Sequence, residues 1–525
     1  MSNNWVERSK EFTFNDAANN FAINFAGMKF CKKSLDEMTQ KGLFAKAIKG
    51  IKDIENGMIK NPDENRKVTH FSDRVEYAKS QLFKDVESFV EDVRTGKITS
   101  STGKNFEAVV VNGIGGSALG PQLMQFAING PYYNELSADA RRGYLKVYFL
   151  DNTDPAGIVD VAAIMDCETT LHLCISKSGG TQETKNNLTA LENIYKAKGL
   201  DFSKHAVAIT MLDSNLDKYA KSNGYLRVFE MAESIGGRTS ETSIVGHVPA
   251  ALCGINFADF LNGACAMDNL TRREDIMANP AMLLAAMWYI AGEGKGNRNM
   301  VIVPYSDRLV LLSRYLQQLV MESLGKEFDL DGNAVYQGLN VFGNKGGTDA
   351  HAFIQQLNDG RDDFFATFIE LMKDADTLKI TDDINMGDYL HGFLEGLSLA
   401  LRNKGRQVIT IKVPEINTYT LGMLIALYER AVAIYAEFIN INAFHQPGVQ
   451  AYKLAAKGVL ELRAKVLAAV NEMDSFEMTA CELADKIGMS DSAVEIANLL
   501  DKAVFNSAIV TRSFDSDKNC WVYKK

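Results

Sequence analysis

NGIGGSALGP, residues 112–121, follows directly on the apolar run AVVV that ends at Val111. A buried strand that passes through a glycine turn into a helix is typical of parallel α/β sheets that bind a phosphate group at the helix N-terminus. Two features of a dinucleotide site are missing, because Ala118 replaces the third glycine and the first candidate ribose-binding acid, Asp151, comes too late in the chain. The stretch therefore predicts either a phosphate site of another kind or a plain tight turn.

The composition is that of a globular protein with two or three domains. The chain has 525 residues, of which 46% are hydrophobic and 23% charged. No apolar run approaches the roughly 20 residues that cross a bilayer, and the first residues lack the apolar core of a secretory signal, so we expect a cytoplasmic protein without membrane contact. Seven scattered cysteines without a C-x-x-C pair favour a reducing compartment, and a net charge of −10 disfavours nucleic-acid partners.

The spacing of apolar residues divides the chain into four segments. Residues 1–100 have helical spacing and predict an N-terminal helical cover. Residues 101–285 alternate short β-rich runs with helices, and residues 286–465 repeat the alternation, which predicts an α/β protein with two doubly wound parallel sheets. Residues 466–525 read as two short helices and a hairpin, a small winged-helix-like appendage whose acidic balance disfavours DNA binding.

A second turn of the same type strengthens the phosphate interpretation. ISKSGGTQET, residues 175–184, again joins a strand to a helix, and it carries three hydroxyl groups and a cation on Ser176, Lys177, Ser178 and Thr181. Hydroxyls and backbone amides that converge on a helix N-terminus suit a phosphate monoester, and the absence of a G-K-[ST] ending excludes a nucleotide P-loop. Taken alone, the segment is equally well explained as a polar turn that caps a helix.

Six segments together resemble the signature segments of the phosphoglucose isomerase family. In chain order they are GIGGSALGP (113–121), SKSGGTQET (176–184), GGRTSETSIVG (236–246), QQLVMESLGK (317–326), GGTDAHAFIQQLNDG (346–360) and FHQPGVQAYKLAAK (444–457). The resemblance implies two sugar-isomerase (SIS) α/β domains, the first binding phosphate and the second supplying a base, in a homodimer that uses no metal or cofactor. It also implies the reversible isomerisation of glucose 6-phosphate and fructose 6-phosphate in glycolysis and gluconeogenesis, by acid-catalysed ring opening and glutamate-mediated proton transfer through a cis-enediol(ate).

The same resemblance implies a role for each motif residue. Glu322 is the base, on a helix predicted over 309–325 that places Gln318 on the same face. Arg238 stabilises the enediolate, His351 of the neighbouring subunit opens the ring, and Lys453 contacts the ring oxygen. The implied substrate-binding residues are Gly116, Ser117, Ser176, Lys177, Ser178, Thr181, Gly237, Gln318 and Gln446. Without the other motifs, each charged residue would be interpreted as an ordinary surface group.

Two alternatives remain open from the sequence. A non-catalytic sugar-phosphate sensor with tandem SIS domains would keep the phosphate turns and could lose the base, and an isomerase of another hexose phosphate would keep both. SIS folds serve several functions, so fold alone does not separate these hypotheses. The seven histidines form neither H-x-H nor H-E-x-x-H, which disfavours a metal-dependent isomerase.

Overall fold

The computed structural model describes residues 2–525, and side chains from Trp5 onward. These residues form two compact units, one that ends at His445 and one over Gln446–Lys525. None of the helices within 2–525 combines the length and apolar character that crossing a bilayer requires.

The first unit begins with helices and four strands that the helical spacing did not predict. Its first elements are α1 (Ser2–Glu11), β1 (Thr13–Asp16), β2 (Phe21–Gly27), α2 (Lys32–Gln40), α3 (Leu43–Glu55), β3 (Ile59–Asn61), β4 (Arg66–Lys67), α4 (His70–Tyr77) and α5 (Gln81–Arg94). Four of the helices match the predicted amphipathic stretches. The expectation of a mainly helical cover is corrected over residues 13–27, because TFND and FAINFAG alternate buried and less buried residues and pair as antiparallel strands.

The first predicted α/β segment forms a five-stranded parallel sheet. Its elements are β5 (Ala108–Asn112), α6 (Leu119–Ile128), β6 (Lys146–Leu150), α7 (Pro155–Ile164), β7 (Thr170–Ile175), α8 (Gln182–Ala197), β8 (Ala206–Thr210), α9 (Asn215–Ser222), β9 (Arg227–Glu230) and α10 (Ile244–Leu252). The strand order is β6-β5-β7-β8-β9, and every neighbouring pair is parallel. Val109 and Val111 enter one hydrophobic cluster and Val110 enters another, so helices cover both faces, as expected of a doubly wound sheet.

The second predicted α/β segment repeats this topology. Its elements are α11 (Phe257–Thr271), α12 (Pro280–Ala291), β10 (Asn299–Pro304), α13 (Leu312–Leu316), β11 (Lys326–Phe328), β12 (Ala334–Gln337), β13 (Val341–Phe342), α14 (Ile354–Asp359), β14 (Phe364–Leu371), α15 (Met386–Asn403), β15 (Gln407–Val413) and α16 (Thr418–Phe438). The parallel part runs β13-β10-β14-β15, the same order as β6-β5-β7-β8 in the first sheet. The predicted tandem arrangement of two α/β sheets is confirmed, while the boundary predicted at 285/286 falls inside α12 and stays a prediction.

The N-terminal strands complete the second sheet. β2 lies antiparallel to β15, and β1 continues the sheet on the far side of β2. The fifth position, which β9 fills in the first sheet, is therefore filled by a strand from the opposite end of the unit and in the opposite direction. Residues 13–27 belong to this sheet and do not form a separate cover.

The second unit contains α17 (Pro447–Glu472), β16 (Glu477–Thr479), α18 (Ala480–Lys486), α19 (Ala493–Asn506), β17 (Thr511–Asp515) and β18 (Cys520–Lys524). The two short helices and the hairpin appear where the sequence predicts them, and β16 adds a third strand in the order β16-β18-β17. The unit has its own core, in which Val466 and Val470 of α17 pack with Leu483 and Leu500. The unit therefore begins earlier than the predicted appendage, which started at residue 466. The reason is that α17, which the sequence analysis assigned to the preceding domain, packs on the two small helices.

Candidate active site

The two turns that the sequence singles out lie side by side at the first sheet. The glycine turn follows β5 and the hydroxyl turn follows β7, and these strands are neighbours in register from Ala108 with Thr170 to Asn112 with Cys174. The chain order reverses at this point, because β6 lies on the other side of β5. Ligands of open α/β sheets bind at the carboxyl ends of the strands where the order reverses. The topology thus favours a binding site formed by both turns.

The hydroxyl turn, residues 176–181, is shaped by its own side chains. The Oγ atom of the buried Ser176 accepts a hydrogen bond from the amide of Gly179 at 3.2 Å and donates to Thr181 Oγ1 at 3.3 Å. Ser178 Oγ accepts from the amide of Gly180 at 3.2 Å. Thr181 is the N-cap residue of α8, yet its side chain makes no capping hydrogen bond. The first amide groups of α8 therefore remain available to an anion.

Lys177 points toward the Arg238 loop. Its Nζ donates to the carbonyl oxygen of Ile235 at 2.9 Å and also to that of Glu233. Burial, and to a smaller extent the nearby Arg66, lower the pKa of Lys177 to about 8. The lysine therefore ties the hydroxyl turn to the residues that precede Arg238 and adds positive charge between the two.

The glycine turn packs against the Arg238 turn with no space between the backbones. Both are short 3-10 turns, over Gly115–Ser117 and Gly237–Thr239. A Cβ atom on Gly116 would lie 1.8 Å from the carbonyl oxygen of Gly237, so only glycine allows this approach. Ser240 Oγ donates to the carbonyl oxygens of Gly237 at 2.7 Å and Gly116 at 3.3 Å, which binds the two turns together.

The Arg238 side chain meets Glu322, the predicted base. Arg238 Nη1 lies 2.9 Å from Glu322 Oε2, while Nη2 donates to the backbone carbonyls of Ala443 at 3.1 Å and His445 at 3.0 Å. The arginine is buried, and Glu322 keeps 23% of its side chain exposed. Burial lowers the pKa of Arg238, and the charge of Glu322 partly offsets that effect. The Arg238 guanidinium is therefore held in place beside the Glu322 carboxylate, which remains partly accessible to solvent.

The helix that carries Glu322 differs from the expected regular α-helix. After α13 the chain forms a π-helix over Gln317–Glu322, a wider turn with one extra residue. Single π-helical turns inside α-helices occur frequently at functional sites, where the extra residue changes the direction of side chains. The predicted continuous helix over 309–325 is therefore corrected, and its end before Gly325 is confirmed.

Gln318, in the same π-helix, lies at the glycine turn. Its Nε2 atom is 3.0 Å from the position that a Cβ atom on Gly115 would take. Gln318 and Gly115 line a cavity of about 260 Å³ together with Ile114, Ala118, Leu119, Asp151, Arg314 and Gln317. The two predicted residues of this helix therefore reach the first sheet at separate points, Gln318 at the glycine turn and Glu322 at the Arg238 turn.

Comparison with known proteins agrees with this geometry. The family model of phosphoglucose isomerase matches residues 33–394 and 397–480. A glucose-6-phosphate isomerase of Nostoc punctiforme is 45% identical over 491 residues, which cover 91% of this chain and 90% of that protein. One of Geobacter sulfurreducens is 44% identical over 514 residues, 95% of each chain.

The chain belongs to the phosphoglucose isomerase family.

A solved structure of the family shows the same fold. The glucose-6-phosphate isomerase of Chlamydia trachomatis superposes with a TM-score of 0.76 at 26% identity, covering 87% of this chain and 91% of that one. Residues 481–525 lie beyond the family model, although the Geobacter relative is matched over 95% of this chain. The family membership confirms the resemblance drawn from the six motifs.

The histidine of the phosphoglucose isomerase motif at 346–360 is separate from this cluster of turns. His351 ends a 3-10 turn over Thr348–His351, and its side chain is exposed. The buried Asp349 shapes that turn by accepting hydrogen bonds from the backbone amide of Asn344 at 2.8 Å and from its side chain at 3.1 Å. The role of His351 is therefore not explained by contacts within one chain.

The last family motif extends into the second compact unit. Gln446 is the N-cap residue of α17, and Lys453 is exposed on the same helix. Their predicted roles stay predictions from the motif.

Sequence reasoning missed two buried residues within the family motifs. Lys326 directs its ammonium group to the carbonyls at the end of the Glu322 helix, and Glu241 is a fully buried carboxyl group three residues after Arg238. The position of Lys326 immediately after the helix-ending Gly325 was a signal for the first, because lysine near a helix end often binds the last carbonyls. The sequence carries no such signal for Glu241, since nothing local predicts its burial.

Proposed function

We propose that this protein interconverts glucose 6-phosphate and fructose 6-phosphate. The observation that carries the proposal is the Arg238–Glu322 pair at 2.9 Å, held beside two phosphate-type turns in a chain of the phosphoglucose isomerase family. The relatives from Nostoc and Geobacter, named glucose-6-phosphate isomerase, support the choice of substrates.

In this proposal the first sheet anchors the phosphate group of the sugar. The amides at the start of α8 and the hydroxyls of Ser176, Ser178 and Thr181 supply short donors for its terminal oxygens. Gly116, Ser117 and Gly237 form the neighbouring wall, and Lys177 contributes charge. The anchored phosphate then holds the sugar carbons toward Glu322, which lowers the entropy cost of proton transfer.

The chemistry we propose gives each motif residue the role that the family resemblance implies. His351 donates a proton to the ring oxygen as the C1–O5 bond of the aldose breaks, while the C1 hydroxyl releases its proton to solvent and C1 becomes the aldehyde carbonyl; Lys453 assists at the ring oxygen. Glu322 then takes the proton from C2, and the electron pair forms the C1–C2 double bond of the enediolate as charge moves to the C1 oxygen. Arg238 stabilises that charge while the proton of the C2 hydroxyl passes to the C1 oxygen. Glu322 returns its proton to C1, and C2 becomes the carbonyl carbon of the ketose. Gln318 and Gln446 hold hydroxyl groups of the sugar.

The experiment that tests this function compares the parent protein with Glu322→Gln. Protein treated with a chelator is incubated with fructose 6-phosphate, and glucose 6-phosphate is followed through a coupled dehydrogenase. We expect turnover in the parent and a loss of about 10²–10⁴-fold in kcat for Glu322→Gln, the range that a general base supplies. Glu327→Gln, an exposed neighbour of the same charge, is the matched control and should keep the parent rate.

Other outcomes would change the assignment. Binding of fructose 6-phosphate without turnover in both proteins would favour a sugar-phosphate sensor. Turnover of another hexose phosphate in place of fructose 6-phosphate would keep Glu322 as the base and move the protein to a different substrate.

We further propose that the protein is a cytoplasmic homodimer in which His351 acts at the neighbouring subunit's Glu322. The exposure of His351 supports this, because the residue is free to enter a site outside its own chain. Exposed apolar side chains between β14 and the middle of α15 also support a second copy, and each is at least 43% exposed: Met372, Leu378, Ile380, Met386, Tyr389 and Phe393. The seven free cysteines are consistent with a reducing compartment.

A further inference from the structure

Lys326 binds the end of the helix that carries the proposed base. Its Nζ donates to the carbonyl oxygen of Glu322 itself at 2.8 Å and to that of Ser323 at 2.7 Å. Carbonyls at the C-terminal end of a helix lack partners within the helix, and a cation there also interacts favourably with the helix dipole. Lys326 is only 5% exposed, so water does not compete for these two bonds.

The ammonium group belongs to a small set of charges around Glu322. Burial is the main reason that the pKa of Lys326 is lowered to about 7, and Arg238 lowers it as well, whereas Glu322 and Asp63 raise it. His445 lies beside the same charged groups, with its Nε2 atom 3.4 Å from Asp63 Oδ2. Burial lowers the pKa of His445, and the charge of Lys326 lowers it as well. The two hydrogen bonds to the helix carbonyls offset part of the cost of burying this charge.

The position of Glu322 at the end of the π-helix makes the placement of that helix end important for the base. π-Helices are rare and occur mostly as single turns within α-helices, frequently at functional sites. Glu322 is its last residue and must present a carboxylate both to Arg238 and to a sugar carbon. A misplacement of about 1 Å at a reacting group can cost about 10²-fold in rate.

We propose that Lys326 is a positioning residue for Glu322, whose ammonium group fixes the end of the π-helix and thereby the direction of the base. This inference rests on the proposed function, because it assigns Lys326 a role in catalysis only if Glu322 transfers the proton. Lys326 acts through the backbone of Glu322, and the phosphate anchor at the hydroxyl turn is independent of it.

The test uses Lys326→Met and Lys326→Arg in the full chain, with kcat and KM measured for fructose 6-phosphate. We expect Lys326→Met to lower kcat by at least about tenfold and to change KM by less than about twofold, the pattern of a group needed at the transition state but not for substrate binding. Lys326→Arg, which keeps charge and donors, should recover most of the lost kcat. Lys33→Met, at an exposed lysine of α2 that lies 3.9 Å from Glu37, is the control and should match the parent.

Two results would overturn the proposal: a kcat of Lys326→Met within about twofold of the parent, or an equal loss of kcat in the methionine and arginine variants. If Lys326→Met does not fold, Lys326→Gln replaces it, since its amide can still donate to one carbonyl and should give an intermediate kcat. A parent protein without isomerase activity would refute the proposed function itself. An active parent with an unaffected Lys326 variant would refute only the role of Lys326.

Discussion

At the scale of single residues, buried charge is concentrated beside the candidate site. Arg74 pairs with Asp268 at 3.1 Å and with Glu429 at 3.0 Å, and Arg430 pairs with the other oxygen of Asp268 at 2.8 Å. Burial nevertheless raises the pKa of Glu429 to about 7. Such pairs are retained at a desolvation cost, and breaking one leaves an uncompensated buried charge. The residues came from three distant parts of the sequence, so no local pattern predicted the network.

Glu241 differs from these paired groups, because its carboxyl group has neither a hydrogen-bond partner nor an ion-pair partner among the described residues. Burial raises the pKa of Glu241 well above its usual value, and nearby Glu429 adds to the shift. Between about pH 4.3 and the raised pKa, the Glu241 side chain is therefore a neutral acid in the folded protein and a carboxylate in the unfolded chain. Because the unfolded state binds fewer protons there, stability falls as the pH rises from about 4.3 toward the raised pKa.

Replacing Glu241 with Gln should consequently stabilise the protein at neutral pH. Glutamine keeps the shape and carries no proton, so its advantage over the parent should be larger at about pH 8 than at about pH 5. Unfolding midpoints in denaturant at the two pH values measure this, with the exposed Glu327→Gln as control. A variant that is less stable than the parent at the higher pH would mean that Glu241 is ionised and paired in the fold.

At the scale of elements, the site depends on turns of the first α/β segment that meet one another. The strands, the helices that follow them and the two polar turns were predictable, because each is a run of neighbouring residues with its own period. The contact between the glycine turn and the Arg238 turn was not predictable, since it depends on the packing of α10 against α6. The π-helix was not predictable either, because its sequence has the apolar spacing of an ordinary helix.

Gly116→Ala tests the contact between those turns. Its Cβ atom would overlap the carbonyl oxygen of Gly237, so the turns must separate, and we expect a loss of about 1–3 kcal/mol in the free energy of unfolding together with reduced isomerase activity. Gly157→Ala, in α7 where a Cβ atom meets open space, provides the control for both measurements. An alanine variant at 116 with parent stability would show that the backbones are not held in contact.

At the scale of the whole molecule, the second sheet is completed by strands from the N-terminal end of the chain. β1 and β2 extend the second sheet next to β15, and the unit Gln446–Lys525 carries its own core. The proposed dimer adds His351 to a site whose other charged residues, Arg238 and Glu322, are paired within one chain.

Mixed dimers test whether His351 of one subunit acts at the Glu322 site of the other. Glu322→Gln and His351→Ala should each be inactive alone, and refolding them together should restore activity, because a mixed dimer contains one site with an intact Glu322 and an intact His351. A mixture of Glu322→Gln with Arg238→Ala should stay inactive in the same assay, since both residues come from one chain. If the first mixture also stays inactive, His351 does not act across the interface.

The sequence by itself determined the class of the fold, the positions of the parallel strands and the six motifs that place the chain in its family. It did so because strand and helix periods and glycine turns are properties of neighbouring residues. Only the tertiary structure decided that Arg238 faces Glu322, that Lys326 binds the end of a π-helix and that residues 13–27 complete the second sheet. These contacts join residues far apart in the chain, and their geometry depends on how whole sheets and helices pack, which no local pattern records.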